Sequence, residues 1–214
     1  MIALSIGFLL LVRIWNYTGP RWAQPITGPL AAALLVLLVL LSGLTPAEAG
    51  LTLSGSGYAL SGVTAIAAGY GLALLIRPAR RALAAADHPR PVFTAFVGVP
   101  LATVTFEEVA FRGVLWGLIA RDHGPIWATG VTAVLFGLWH LSPQSDVREN
   151  LGTVAFTTLA GIALGELRHV TGGLLAPFAV HWAANGLGIL VSARVSGIPR
   201  DQAGRSGRPE EKGR

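Results

Sequence analysis

Seven stretches of this chain are almost continuously apolar: about 1–14, 28–44, 59–76, 93–120, 126–141, 151–168 and 172–193. Runs of this kind restrict the fold more than any other feature. A bilayer core offers no water to backbone N–H and C=O groups, so a run crossing it closes its hydrogen bonds internally, as a helix does. A spanning helix needs about 20 apolar residues, with a range of roughly 17–25. The expected class is therefore all-α, a polytopic transmembrane helix bundle of about seven membrane segments. The first run is short for a span. The fourth is long for one, and Gly98 and Pro100 are expected to kink it or to divide an entry portion from the main helix.

Composition agrees. The chain is 52% hydrophobic and 13% charged, where an average soluble domain is roughly 25% charged. With no cysteine, a disulfide framework, a thiolate metal site and a thiol nucleophile are all excluded. The net charge of +5 does not point to nucleic acid, because the arginines lie between apolar runs. The N-terminus has no basic stretch ahead of its apolar run, so it reads as a signal anchor or first helix. The organisation reads as N-terminal membrane segments (1–91), a helical core (92–193) and a disordered basic tail (194–214).

Arginine placement orients the bundle. Arg13 and Arg21 lie in the first loop, Arg77, Arg80, Arg81 and Arg90 in the third, Arg148 in the fifth, and six basic residues from Arg194 onward. That is thirteen on one side, against only Arg121 and Arg168 on the other. The positive-inside rule places the tail in the cytoplasm and the N-terminus outside.

Ionisable groups inside the apolar runs identify a site. An unpaired charge in hydrocarbon costs several kcal/mol, so such groups mark function by default. Glu107, Glu108 and Arg112 occur in EEVAFR, His140 closes FGLWH, and His181 and Asn185 occur in HWAAN. Glu108 and Arg112, four apart, share a helix face and can pair. Glu107 points about 100° away and stays free for chemistry. Asn185, one turn after His181, could donate to an oxyanion. Pro177 is expected to break the local backbone ladder four residues before His181. At 1.5 Å per residue, Glu107 lies roughly 19 Å, His140 about 21 Å and His181 about 14 Å from the outer end of its segment. These depths agree within about 7 Å, less than a quarter of a roughly 30 Å core. One carboxylate with two imidazoles can activate water. Each motif also has a plainer reading: a structural ion pair, an interfacial histidine, and helix–helix hydrogen bonding. Gly161 and Gly165 read as a close-packing pair. Glu166 and Arg168 read as residues snorkelling near the outer interface. The tryptophans Trp15, Trp22, Trp116 and Trp127 fall near segment ends, as in an aromatic belt, and Trp139 and Trp182 either wall the pocket or pack.

The three motifs, in this order on successive segments, resemble the CPBP family of intramembrane proteases. That family includes type II CAAX prenyl endopeptidases and bacterial bacteriocin-immunity (Abi) proteins. Its pattern is EExxxR, FxxxH and HxxxN or HxxxD, matched here by Glu107, Glu108 and Arg112, by Phe136 and His140, and by His181 and Asn185. The resemblance implies an endopeptidase in a bacterial plasma membrane, acting on a peptide or protein substrate at the bilayer and reached from the cytoplasmic side. It implies that Glu107 activates water held by His140 and His181, that Asn185 supports the water or the oxyanion, and that Glu108 with Arg112 orients the site. Glu107, His140 and His181 could ligate Zn²⁺ with one open position, or could polarise water without metal. HExxH, the zinc-protease helix signature, does not occur in the chain.

Two other classes remain open on sequence. Intramembrane Glu and His also build proton or ion relays in transporters, although the seven runs show no pair of inverted repeats. A non-catalytic immunity scaffold would act by binding alone. The orientation is directly testable: reporter fusions after Arg81, after Gly50 and at the C-terminus are expected to read in, out and in. An outside signal after Arg81 would invert the bundle.

Overall fold

The computed structural model describes residues 1–84 and 90–196. Residues 197–214, most of the expected tail, lie outside the described residues. Among those described there are helices and no strands: α1 (Ile2–Thr18), α2 (Gln24–Leu40), α3 (Ser56–Leu75), α4 (Arg77–Leu83), α5 (Pro91–His123), α6 (Pro125–Trp139), α7 (Val147–Thr171) and α8 (Leu175–Ser196). Apart from the short basic α4, each corresponds to one apolar run. Four of them, α3, α5, α7 and α8, are long and apolar enough to cross a membrane. Large apolar side chains cover the outside, with Leu75, Ile126, Phe156 and Leu159 all at least two-thirds exposed. Water would not tolerate such a surface, and lipid does.

The interior inverts this pattern. Glu107, Glu108, Arg112 and His181 are buried beside Leu35, Val39, Val104, Phe106, Phe111 and Phe136. α5 runs through the centre. α1 and α2 pack along one side of it, α6 and α7 form a long antiparallel pair on another, and α8 fits between α3, α7 and the start of α5. The small residues of α7 set its distance from α6. A β-carbon on Gly161 would come within 2.9 Å of the Ala133 backbone, and one on Gly165 within 2.9 Å of Thr129.

Two expectations about proline change. α5 is not divided at Gly98 and Pro100. It continues with widened π turns at Thr94–Gly98, Pro100–Val104 and Glu108–Leu115, which absorb the missing proline donor and keep one helix; the Thr105 hydroxyl donates to the Pro100 carbonyl at 2.7 Å. Pro177 does not interrupt α8 either. It lies in the first turn, where an absent N–H costs nothing because that donor has no partner in the helix.

The loop between α2 and α3 folds back over the C-terminal half of α5. Leu44 and Ala49 are buried. The Thr45 amide and hydroxyl both donate to the Glu48 carboxylate at 2.7 Å, while the Glu48 amide donates to the Thr45 hydroxyl at 3.2 Å. This reciprocal box holds the Glu48 carboxyl below its ordinary range. Arg168 fixes the loop. Its Nε donates to the Arg112 carbonyl at 3.1 Å and its Nη2 to the Glu48 carbonyl at 2.7 Å, with the guanidinium over the Trp116 ring. Arg168 is therefore a buried anchor and not a snorkelling surface residue, because carbonyls of α5 and of the loop meet it inside. Gly50, at φ +70°, is needed there: a β-carbon would strike the Arg168 side chain. Trp116 is likewise buried, donating to the Thr129 hydroxyl at 3.1 Å, while Trp22 and Trp127 remain exposed.

Replacing Gly161 by Leu forces α6 and α7 apart. The variant is expected to lose about 1–3 kcal/mol and to melt at a lower temperature in detergent. An unchanged melting temperature would show that the α6–α7 contact is not close-packed.

Candidate active site

Glu107 ends a short α-helical turn, and Glu108 begins the π stretch that contains Arg112. The Arg112 Nη1 donates to Glu108 Oε1 at 3.0 Å, with both side chains almost wholly buried. The same Oε1 accepts from His181 Nδ1 at 2.7 Å. One carboxylate oxygen thus ties two cationic or polar partners on α5 and α8. The His181 Nδ1 proton faces Glu108, so Nε2 is the ring atom turned to Glu107, at 3.8 Å from its Oε2.

Glu107 is held separately. The Trp139 indole N–H donates to its Oε1 at 2.9 Å. Its Oε2 is buried without a hydrogen-bond partner in the protein, as are Glu108 Oε2 and Arg112 Nη2. Buried polar atoms of this kind are few in folded proteins and call for a functional reason. A separation of 3.8 Å is too long for a direct bond and is suited to a bridging water.

Phe136 organises the cluster. Its ring stacks edgewise with His140 at 4.7 Å and with His181 at 5.7 Å, carries the Arg112 guanidinium at 4.0 Å over its face, and meets Phe111 at 5.3 Å. A desolvated cation over an aromatic face contributes about 2 kcal/mol, which partly offsets the burial of Arg112. His140 ends α6 at the edge of this cluster. Its Nδ1 hydrogen-bonds the Phe136 carbonyl at 2.8 Å, which leaves Nε2 as its available atom. It joins the others through Phe136 and not through a carboxylate. Asn185 lies one turn beyond His181, exposed and without a hydrogen bond among the described residues.

The sequence-predicted set is therefore divided. Glu107, Glu108, Arg112 and His181 form one buried cluster, His140 flanks it through Phe136, and Asn185 is exposed one turn beyond His181. Trp139, which the sequence leaves as either a pocket wall or packing, reaches Glu107, and its adjacency to FxxxH carries no sign of that contact. Trp182 is structural, donating to the Ala95 carbonyl at 2.8 Å and packing edgewise on Phe96.

Among the described residues no three His, Asp or Glu side chains are placed to hold a metal ion. Each histidine has Nδ1 engaged and Nε2 free, as zinc-bound histidines do, but Glu107, His140 and His181 do not form such a group. The donors do not fit a three-ligand zinc site, which needs Zn–N and Zn–O distances of about 2.0–2.2 Å.

Residues 89–187 match the family model described as Rce1-like, type II CAAX prenyl endopeptidase. The match spans all three motifs and α5 to α8 as far as Leu187. No curated protein and no solved structure matches the chain significantly.

Removing Arg112 would leave the Glu108 carboxylate facing hydrocarbon. Arg112→Ala is expected to lower stability by about 3–5 kcal/mol, read as a lower melting temperature and a lower folded yield in detergent. Wild-type melting would show that the pair is not coupled.

Proposed function

Because residues 89–187 belong to the type II CAAX prenyl endopeptidase Rce1-like family, we propose that this integral membrane protein hydrolyses a peptide bond of a membrane-associated protein or peptide, using water activated by Glu107. The observation that carries this reading is the pairing of the unpartnered Glu107 Oε2 with His181 Nε2 across 3.8 Å. A water between them would be oriented by the imidazole and would lose its proton to the carboxylate.

The chemistry follows. Water oxygen attacks the scissile carbonyl carbon, and its proton passes to Glu107. The carbonyl becomes a tetrahedral oxyanion. The Asn185 amide is the donor available to it, and such a donor contributes roughly 10²–10³ in rate. Glu107 then delivers the proton to the departing amine nitrogen as the C–N bond breaks. Trp139 fixes the Glu107 rotamer throughout. Glu108, held by Arg112, fixes the His181 ring. No step requires a metal.

Convergence argues for an enzyme over a transporter. The four buried ionisable side chains lie within 2.7–3.8 Å of one another in a chain from Arg112 to Glu107. A proton or ion relay would distribute them along a path across the bilayer.

Glu107→Gln keeps the shape and the indole contact but removes the base. It is expected to cost about 10²–10⁴ in kcat with the melting temperature retained, measured on cleavage of a farnesylated CAAX reporter peptide in liposomes. Activity within a few-fold of wild type would remove Glu107 from this role.

A further inference from the structure

α6 is unusually short for a helix in a membrane. Its 15 residues cover about 22 Å, less than a roughly 30 Å hydrocarbon core. The chain from His140 to Asp146 turns back after it. Backbone groups of this turn have protein partners. The amides of His140 and Leu141 donate to Gly137 and Leu138. Asn150 bridges the turn, accepting from the Ser142 amide at 2.9 Å and donating to the Ser142 and Ser145 carbonyls at 2.9 and 3.1 Å.

The Leu141 carbonyl is satisfied from elsewhere. Arg13 Nη2 donates to it at 2.7 Å and the Tyr17 hydroxyl at 3.0 Å. The same Nη2 donates to the Tyr17 hydroxyl at 2.7 Å, and the guanidinium lies 4.6 Å from the Tyr17 ring centroid. It also lies 5.1 Å from the Trp139 ring centroid. Leu141 follows His140 directly, and Trp139 is the indole bonded to Glu107. Both donors come from α1, outside the segment that matches the family model. One guanidinium thus reaches the backbone beside one site residue and the ring of another.

We propose that Arg13 and Tyr17 of α1 are positioning residues, a clamp on the end of α6 that holds Trp139 and His140 in register with Glu107. The inference rests on the proteolytic reading for its kinetic consequence but not for its structural one. Without the clamp the Leu141 carbonyl has lost both side-chain donors and the His140–Asp146 turn opens. The indole then no longer fixes Glu107. Displacing a catalytic group by about 1 Å can cost 10²-fold in rate.

The test uses the full chain in liposomes with two readouts. Hydrogen exchange of the 138–146 peptide is expected to accelerate at least about tenfold in Arg13→Ala, with exchange within α7 unchanged. On the farnesylated reporter peptide, Arg13→Ala is expected to lower kcat roughly 10- to 100-fold with KM within about twofold. Tyr17→Phe, which keeps the ring and removes one donor, should lose only a few-fold. Arg13→Lys, which restores a cation and one donor, should recover part of the loss. Unchanged exchange in both Arg13→Ala and Tyr17→Phe would overturn the clamp, whatever the activity. So would a change confined to KM, which would make Arg13 a substrate contact. Should Arg13→Ala not fold, Tyr17→Phe and Arg13→Lys carry the same two readouts. A wild-type chain that cleaves nothing would defeat the proteolytic reading, while the exchange result would still decide the clamp.

Discussion

Glu108 Oε1 is the atom on which this interior depends. It receives Arg112 and His181 at 3.0 and 2.7 Å, all three side chains being buried. Each of the three would be costly to bury alone, since a lone ion in a low-dielectric interior carries a penalty of several kcal/mol. Together they compensate one another, and the face of Phe136 takes up part of the remaining guanidinium charge. The shared oxygen also joins α5 to α8, so the electrostatic solution and the helix packing are the same structure. The imidazole gains a fixed ring orientation from it, and only for that reason does Nε2 meet Glu107.

Support for this centre comes from both ends of the bundle. At one end Arg168 links the Arg112 carbonyl to the loop at Ala47 and Glu48, so the backbone of the π stretch is anchored beside the buried cluster. On the opposite side α1 reaches the turn after His140. Widened turns in helices are frequent at functional sites, and here one runs from Glu108 to Leu115. The N-terminal helices thus share one core with α5 and α6, through Leu9, Leu35, Val39, Phe106 and Phe136.

Much of this was legible in the sequence because a bilayer makes few demands and makes them strictly. Apolar runs became helices, Gly161 and Gly165 became a helix contact, and the i to i+4 spacing of Glu108 and Arg112 became an ion pair. What stayed hidden was long-range. Nothing local to Glu108 announces His181, 73 residues away, and nothing near Trp139 announces Glu107. Pro177 misled because a proline's effect depends on whether its missing donor would have had a partner, which is a matter of helix position. Arg168 misled for a related cause: a cation near a span end snorkels by default, and only the folded loop supplies carbonyls that draw it inward.

The most direct measurement is ¹⁵N NMR of histidine-labelled protein in liposomes, with His181 assigned by the resonance lost in His181→Asn. The account requires a protonated, exchange-protected Nδ1 on His181, and loss of that protection in Glu108→Leu purified as a folded species. A His181 whose Nδ1 is unprotonated, or whose Nδ1 proton is indifferent to Glu108, would contradict it.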